Sequence, residues 1–209
     1  MNIKDYGKEI TVVILATLIL AITVSFKDST IFYAAALSFL VIFVVNITMK
    51  KIVGYMVETE VRTKFWTWYQ YGFRIDWHFK KPLPMLWLPL ILTLFTKGFF
   101  WWLPILEYDV VAKTERVTRR HGLYRFTQVT EHHVAWMAIW ALIANFVFAI
   151  GGYILGFELF TKLSIYFIAW SVIPLGNLDG SKILFGGQAK WGIIFTAAMI
   201  VLIWALAIL

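Results

Sequence analysis

Long runs of apolar residues dominate this chain and restrict it to a few architectures. Of its 209 residues, 61% are hydrophobic and 15% are charged, whereas soluble domains average about half and a quarter. Runs of this length cross a bilayer as helices, because lipid offers exposed backbone groups no hydrogen-bond partner. The sequence therefore predicts an all-α membrane protein, a bundle of five spans in one domain: 10–26, 31–49, 134–155, 159–173 and 191–209.

The stretches between the spans are more polar and predict less regular structure. Residues 50–73 combine charges with tryptophan and tyrosine, which predicts a helix that extends into the membrane interface. Three prolines in 83–106 predict a re-entrant or broken segment rather than one straight span. Residues 107–130 are the most polar, and their two short β-type runs, Val110–Ala112 and Phe126–Val129, predict a small β-hairpin with a basic tip.

The distribution of charge predicts the orientation. Thirteen of the 19 lysines and arginines, and six of the 12 acids, lie between positions 50 and 125, so that window carries the whole net charge of +7. The positive-inside rule places this window on the cytoplasmic face of the cell membrane, with a cytoplasmic N-terminus and an external C-terminus. Because topology explains the charge, we expect the lipid bilayer as partner and no nucleic acid.

Residues 173–184 interrupt the apolar pattern near the end of the chain. Asp179 is the only acidic residue after Glu158, and an ionisable side chain at membrane depth indicates a functional site. Pro174 predicts the end of the preceding helix, and Gly176 and Gly180 allow the backbone to turn. The alternative is a surface turn in which Asp179 caps the next helix.

This stretch resembles the Asn-x-x-Pro-x-x-x-x-Asp-Gly motif of the site-2 protease family of intramembrane zinc metalloproteases. Pro174, Asp179 and Gly180 occupy the named positions of the motif and Leu178 directly precedes Asp179, whereas Ser171 stands where the family has asparagine. Their order and separation match the motif.

A second segment upstream supports the same resemblance. Residues 141–146 are similar to the family's Gly-Pro-x-x-Asn segment, with Asn145 kept and Ala-Leu in place of Gly-Pro. The resemblance covers roughly residues 50–190. It implies a site-2 protease fold with a groove for a transmembrane helix.

The resemblance also implies a zinc site made by a His-Glu-x-x-His helix and the aspartate of the Asp-Gly motif. The glutamate would activate the zinc-bound water. The corresponding positions are expected in 57–64, before a helix end at Tyr71–Phe73. Two registers fit: Val57 and Val61 with Glu58 as the base, or Thr59 and Thr63 with Glu60 as the base. Neither contains a histidine, so Asp179 is the only matched ligand position.

Other residues offer little replacement chemistry. The chain has no cysteine, which excludes disulfides and thiolate ligands. Its four histidines, His78, His121, His132 and His133, all lie in the polar middle of the sequence. Neighbouring residues cannot both point along one helical face, so His132 and His133 form a poor metal pair.

The sequence thus predicts a non-catalytic relative of the site-2 proteases, without a cofactor. Such a protein would bind or present a transmembrane helix, or serve as a subunit of a membrane complex. One alternative is a working intramembrane zinc metalloprotease that cleaves transmembrane substrates. A second alternative, favoured by the broken segment 83–106, is a small transporter or lipid-binding membrane subunit.

Overall fold

The computed structural model of the protein describes residues 3–70, 78–113 and 129–208. The helices are α1 (Ile3–Val24), α2 (Phe32–Met56), α3 (Leu88–Phe95), α4 (Glu131–Ile154), α5 (Glu158–Val172), α6 (Asp179–Gly186) and α7 (Gln188–Ile208). The strands are β1 (Thr59–Phe65), β2 (Thr67–Gln70), β3 (His78–Pro84) and β4 (Leu106–Ala112). Short 3₁₀ turns precede α2 and α3.

Four helices in the described part of the chain are long and apolar enough to cross a membrane: Tyr6–Val24, Ser29–Met56, Glu131–Ile154 and Gln188–Ile208. The prediction of a mostly helical chain with membrane-length helices is confirmed. α5, which covers the predicted span 159–173, has 15 residues. At 1.5 Å per residue it is about 22 Å long, shorter than a hydrocarbon core of about 30 Å.

α2 is the central helix of the bundle. It packs against α1, α4, α5 and β1. Phe39, Ile42 and Phe43 of α2 lie in a buried cluster with side chains of α1 and α5. A second cluster joins α4 to α6 and to the strands, through Met137, Ile183 and Val61. α7 lies at the periphery, with 11% of its apolar window buried inside the protein.

The predicted helical extension over 50–73 is wrong. α2 ends at Met56, Glu58 adopts a positive φ of 55°, and β1 begins at Thr59. The physical reason is the period-two pattern of 59–65, in which Thr59, Val61 and Thr63 are buried and the residues between them face outward. The proposed helix end at Tyr71–Phe73 lies outside the described residues.

β1 pairs with β4 in an antiparallel two-stranded sheet. The register sets Arg62 opposite Asp109 and Lys64 opposite Glu107, and oppositely charged residues in these positions favour pairing. β4 covers the first arm of the hairpin predicted for 107–130, and it pairs with β1. The second arm and the basic tip fall largely in 114–128, outside the described residues.

The segment 83–106 is divided among several short elements. β3 ends at Pro84 after pairing with β2, a 3₁₀ turn covers Met85–Trp87, and α3 follows with Pro89 in its first turn. The chain then runs without regular structure to β4, with Leu103 and Ile105 completely buried against α1, α2 and α5. This return path brings β4 beside the centre of the bundle.

The stretch around Asp179 connects two helices by a compact turn. α5 ends at Val172, Gly176 adopts a positive φ of 51°, and α6 begins at Asp179. Gly180 lies so close to the end of α5 that an added Cβ would be 2.2 Å from the Val172 carbonyl oxygen. Only glycine fits there, and this close approach fixes where α6 begins.

Candidate functional site: a buried lysine–aspartate pair

Asp179 lies inside the helical bundle. It is the first residue of α6 and is 5% exposed. A carboxylate in the first turn of a helix is stabilised by the partial positive charge of the free backbone N–H groups. The turn from Val172 to Leu178 therefore delivers a negative charge to the interior at a helix N-terminus.

Lys50 of α2 neutralises this charge. Its Nζ lies 2.7 Å from Oδ2 and 2.9 Å from Oδ1 of Asp179, so the ammonium donates to both carboxylate oxygens. The two side chains are 8% and 6% exposed. Because isolated charges are very costly to bury, each member of the pair depends on the other.

The ring of Tyr108 lies against two ammonium groups. Lys50 Nζ is 4.4 Å and Lys182 Nζ is 3.5 Å from the ring centroid, and Lys182 also donates to the Tyr108 carbonyl oxygen. The Tyr108 hydroxyl donates to the Val134 carbonyl oxygen at 2.8 Å. β4 is thus tied to α2, α6 and the start of α4 through one residue.

Burial shifts the pKa values of Tyr108 and Lys182, which both lie outside the membrane-length helices. It raises the pKa of the Tyr108 phenol well above 10, and the charges of Asp179 and Glu131 add to that effect. It lowers the pKa of Lys182 to about 8; the charge of Asp179 opposes this shift and that of Lys50 adds to it. Asp179 therefore lies in the field of two lysines.

A small cavity lies beside the ion pair. Its walls come from α2, β1, β4, α5 and the turn before α6, and include Asn46, Lys50, Thr63, Glu107 and Asp179. Asn46 and Lys50 are four residues apart and share one face of α2. Both side chains line the cavity, and Lys50 is the one that contacts Asp179.

Glu107 brings a second carboxylate to this cavity. Its side chain is completely buried, and Oε1 accepts hydrogen bonds from Lys64 Nζ at 3.1 Å and Thr67 Oγ1 at 3.2 Å. Lys64 also reaches Asp109 at 2.7 Å on the surface. A line of charged groups therefore runs from the cavity to the exposed side of the sheet.

The residues of the two expected registers have different surroundings in the structure. A strand sends neighbouring side chains to opposite faces, so Thr63 lines the cavity whereas Glu60 forms a 3.0 Å ion pair with Arg62. Glu58 and Val57 do not contribute to the cavity wall, and Val61 packs in the apolar cluster. The helix that carries the expected base is therefore not found, since β1 occupies its place.

Other motif residues have structural surroundings. Asn145 is buried in α4 outside the wall of the cavity. Pro174 follows the end of α5, and Leu178 lines the cavity next to Asp179. Ser171, at the position of the family asparagine, also lines it.

Sequence reasoning missed Asn46 and Lys50. The signal was available, because an amide and a lysine four residues apart stand out in the apolar run 31–56. Polar side chains in such a run face the protein interior and pair with each other. The sequence does not indicate that Asp179 is the partner of Lys50, because their contact depends on the return of α6 to α2.

The site does not fit a zinc ion. Lys50 occupies both oxygens of Asp179, and the polar residues around the cavity carry an amide, hydroxyls and the carboxylate of Glu107 rather than imidazoles. Within 3–70, 78–113 and 129–208, no three His, Cys, Asp or Glu side chains gather in a metal-binding group. His132 instead contacts Trp136 and Lys190 on the surface, and His121 lies outside the described residues.

No family model, curated protein or solved structure matches the chain.

Proposed function

We propose that this chain is a non-catalytic membrane protein of site-2 protease type that binds a transmembrane helix. The observation that carries the proposal is the contact of Lys50 with both oxygens of Asp179. In the family that this sequence resembles, the corresponding aspartate binds zinc. Here a lysine ammonium supplies the positive charge that the metal would supply.

The positions of Asn46 and Lys50 support this proposal. A zinc-binding His-Glu-x-x-His helix needs two ligands four residues apart that face the aspartate. Asn46 and Lys50 have this spacing on α2 and line the cavity with Asp179. Ile47, which would take the place of the glutamate base, is apolar and cannot accept a proton from water. This assignment replaces the two registers in 57–64.

Restoring the metal ligands tests the proposal directly. We expect the Asn46→His/Lys50→His double variant to bind near-equimolar zinc in detergent, because it supplies two imidazoles beside Asp179. Addition of Asp179→Ala to this variant should abolish the zinc. A folded double variant that binds no zinc at Asp179 would contradict the site-2 protease assignment.

The unmodified protein provides the second arm of the experiment. Elemental analysis of the purified chain should find no stoichiometric zinc. The matched control is Lys50→Met/Asp179→Ala, which removes both charges together and leaves no unpaired ion. Near-equimolar zinc in the unmodified protein that disappears in this control would favour the working metalloprotease instead.

The surface of α7 supports the binding of a partner helix. Its outer side has a shallow depression lined by Ala189, Gly192, Ile193, Thr196, Ala197 and Ile200, and nothing lies within 4 Å of a Cβ placed on Gly192. Small residues at such spacing allow two membrane helices to approach closely. α7 also presents large apolar side chains on its exposed side, such as Ile193 at 72%.

Photo-crosslinking in native membranes tests this surface. A crosslinking residue at Thr196 should give a discrete protein adduct, whereas one at Val44, an exposed position of α2, should give none. Since the chain has no cysteine, a Gly192→Cys variant carries a single thiol, and a label attached there reports on this surface alone. Equal results at Thr196 and Val44 would contradict binding at α7.

A further inference from the structure

The cavity beside the Lys50–Asp179 pair contains polar atoms that the ion pair does not use. We propose that it binds one ordered water molecule, which bridges α2, β1 and β4. The inference depends on the cavity alone and is independent of the proposed function.

The size of the cavity fits a single water. The space open to the centre of a water-sized sphere is about 20 Å³, and a cavity holds one water when that sphere, of about 10–15 Å³, can be placed in it. A substrate-sized molecule does not fit, because such ligands occupy cavities of about 300–1,000 Å³. The apolar part of the wall, formed by Phe43, Ile47 and Phe167 among others, limits the space further.

Three residues of the wall each carry a buried polar atom that requires a partner. Asn46 Nδ2, Thr63 Oγ1 and Glu107 Oε2 are each buried, and none has a hydrogen-bond partner among the described residues. Their residues are 4%, 9% and 1% exposed. Buried polar groups in native proteins are nearly always paired with protein or ordered water, because an unpaired group loses its hydration without compensation.

The chemistry of these atoms selects water over an ion. The amide Nδ2 of Asn46 donates, the carboxylate Oε2 of Glu107 accepts, and the hydroxyl of Thr63 does either. Water both donates and accepts, so it satisfies all three groups and fits either orientation of the Asn46 amide. A cation would face the Lys50 ammonium, and an anion would face the Glu107 carboxylate, so charge disfavours both.

The water has a structural consequence. Asn46 belongs to α2, Thr63 to β1 and Glu107 to β4, so one molecule joins the central helix to both strands of the sheet. Glu107 binds Lys64 through its other oxygen, so the proposed water lies one residue away from the charges on the exposed side of the sheet.

A high-resolution structure of the full chain in detergent is the first test. We expect one density peak within about 3.2 Å of Asn46 Nδ2, Thr63 Oγ1 and Glu107 Oε2. Absence of this peak in a map that shows ordered water elsewhere in the protein would overturn the proposal. So would a structure in which the three groups bind one another directly.

Thermal unfolding gives a second test that separates a wet cavity from a dry one. With water present, Thr63→Val and Asn46→Leu should each lower the apparent Tm by about 2–4 °C. The double variant should lose less than the sum of the two shifts, because the groups share one partner. In a dry cavity, Thr63→Val removes an unpaired hydroxyl, and the Tm should rise.

Asn145 supplies the matched control for this cycle. It is also buried, its Nδ2 also has no partner among the described residues, and it lies outside the cavity wall. The shifts of Asn145→Leu and Thr63→Val should therefore add. Additive shifts for Asn46→Leu and Thr63→Val, or a higher Tm for Thr63→Val, would overturn the proposal.

Discussion

Two lysine–carboxylate contacts in this protein have the same length and different surroundings. Lys50 and Asp179 join two helices with N and O 2.7 Å apart and side chains 8% and 6% exposed. Lys64 and Asp109 join two strands at the same 2.7 Å, with side chains 46% and 53% exposed. Because water screens the second pair and not the first, the two contacts of equal length differ in their effect on stability.

Burial, rather than distance, decides how much each pair matters for stability. The two side chains of the exposed pair can exchange their contact for contacts with water at little cost in free energy. The buried pair is costly to break, because removal of one charge leaves the other buried without its ion-pair partner.

Removal of one member of the buried pair should have the largest effect. We expect Lys50→Met to lower the free energy of unfolding by about 3–5 kcal/mol, because it leaves Asp179 buried without its cation. The measurement is unfolding in detergent, followed by the loss of helical signal. Lys50→Met/Asp179→Asn should recover part of this loss, and a single variant as stable as the unmodified protein would remove the proposed dependence.

Gly180→Ala tests whether the position of α6 maintains the buried pair. An added Cβ would lie 2.2 Å from the Val172 carbonyl oxygen, so α6 must shift away from α5. We expect a loss of about 1–3 kcal/mol, typical of overpacking. Gly192→Ala on the open side of α7 is the control and should change stability by less than about 0.5 kcal/mol. Similar losses for both variants would contradict the interpretation.

The pH dependence of stability should report the buried surroundings of Lys182. Its pKa is lowered from 10.5 to about 8 in the folded protein, so between pH 8 and 10.5 the unfolded chain binds more protons. Stability should therefore rise with pH in this window, by at most about 1.4 kcal/mol per pH unit. Unfolding measured at pH 7.5 and pH 9.5 should show the rise, and Lys182→Met should abolish it.

Removal of the exposed partner should have the smallest effect. We expect Asp109→Asn to cost no more than about 1 kcal/mol, since exposed ion pairs contribute little. Lys64 keeps its contact with Glu107 in this variant. The cost should shrink further between 50 mM and 500 mM salt. A salt-independent loss as large as that of Lys50→Met would show that distance alone governs both pairs.

The sequence determined the helical class and the approximate position of the interruption at 173–184. An apolar run in lipid can form few types of structure. A proline, two glycines and a lone aspartate indicate a turn between helices. These inferences need only local composition, which is why they do not depend on the rest of the fold. The same local reasoning predicted a helix for 57–65, although the alternation of Thr59, Val61 and Thr63 with charged residues is typical of a strand.

Only the tertiary structure decided which side chain meets Asp179. Lys50 and Asp179 are 129 residues apart, and their contact depends on α6 returning to α2 beside β4. It also decided the pairing of β4 with β1, whose paired residues are more than 40 positions apart in the sequence. Long-range contacts of this kind follow from packing the whole bundle at once, since no local pattern records which distant charge will share a buried space.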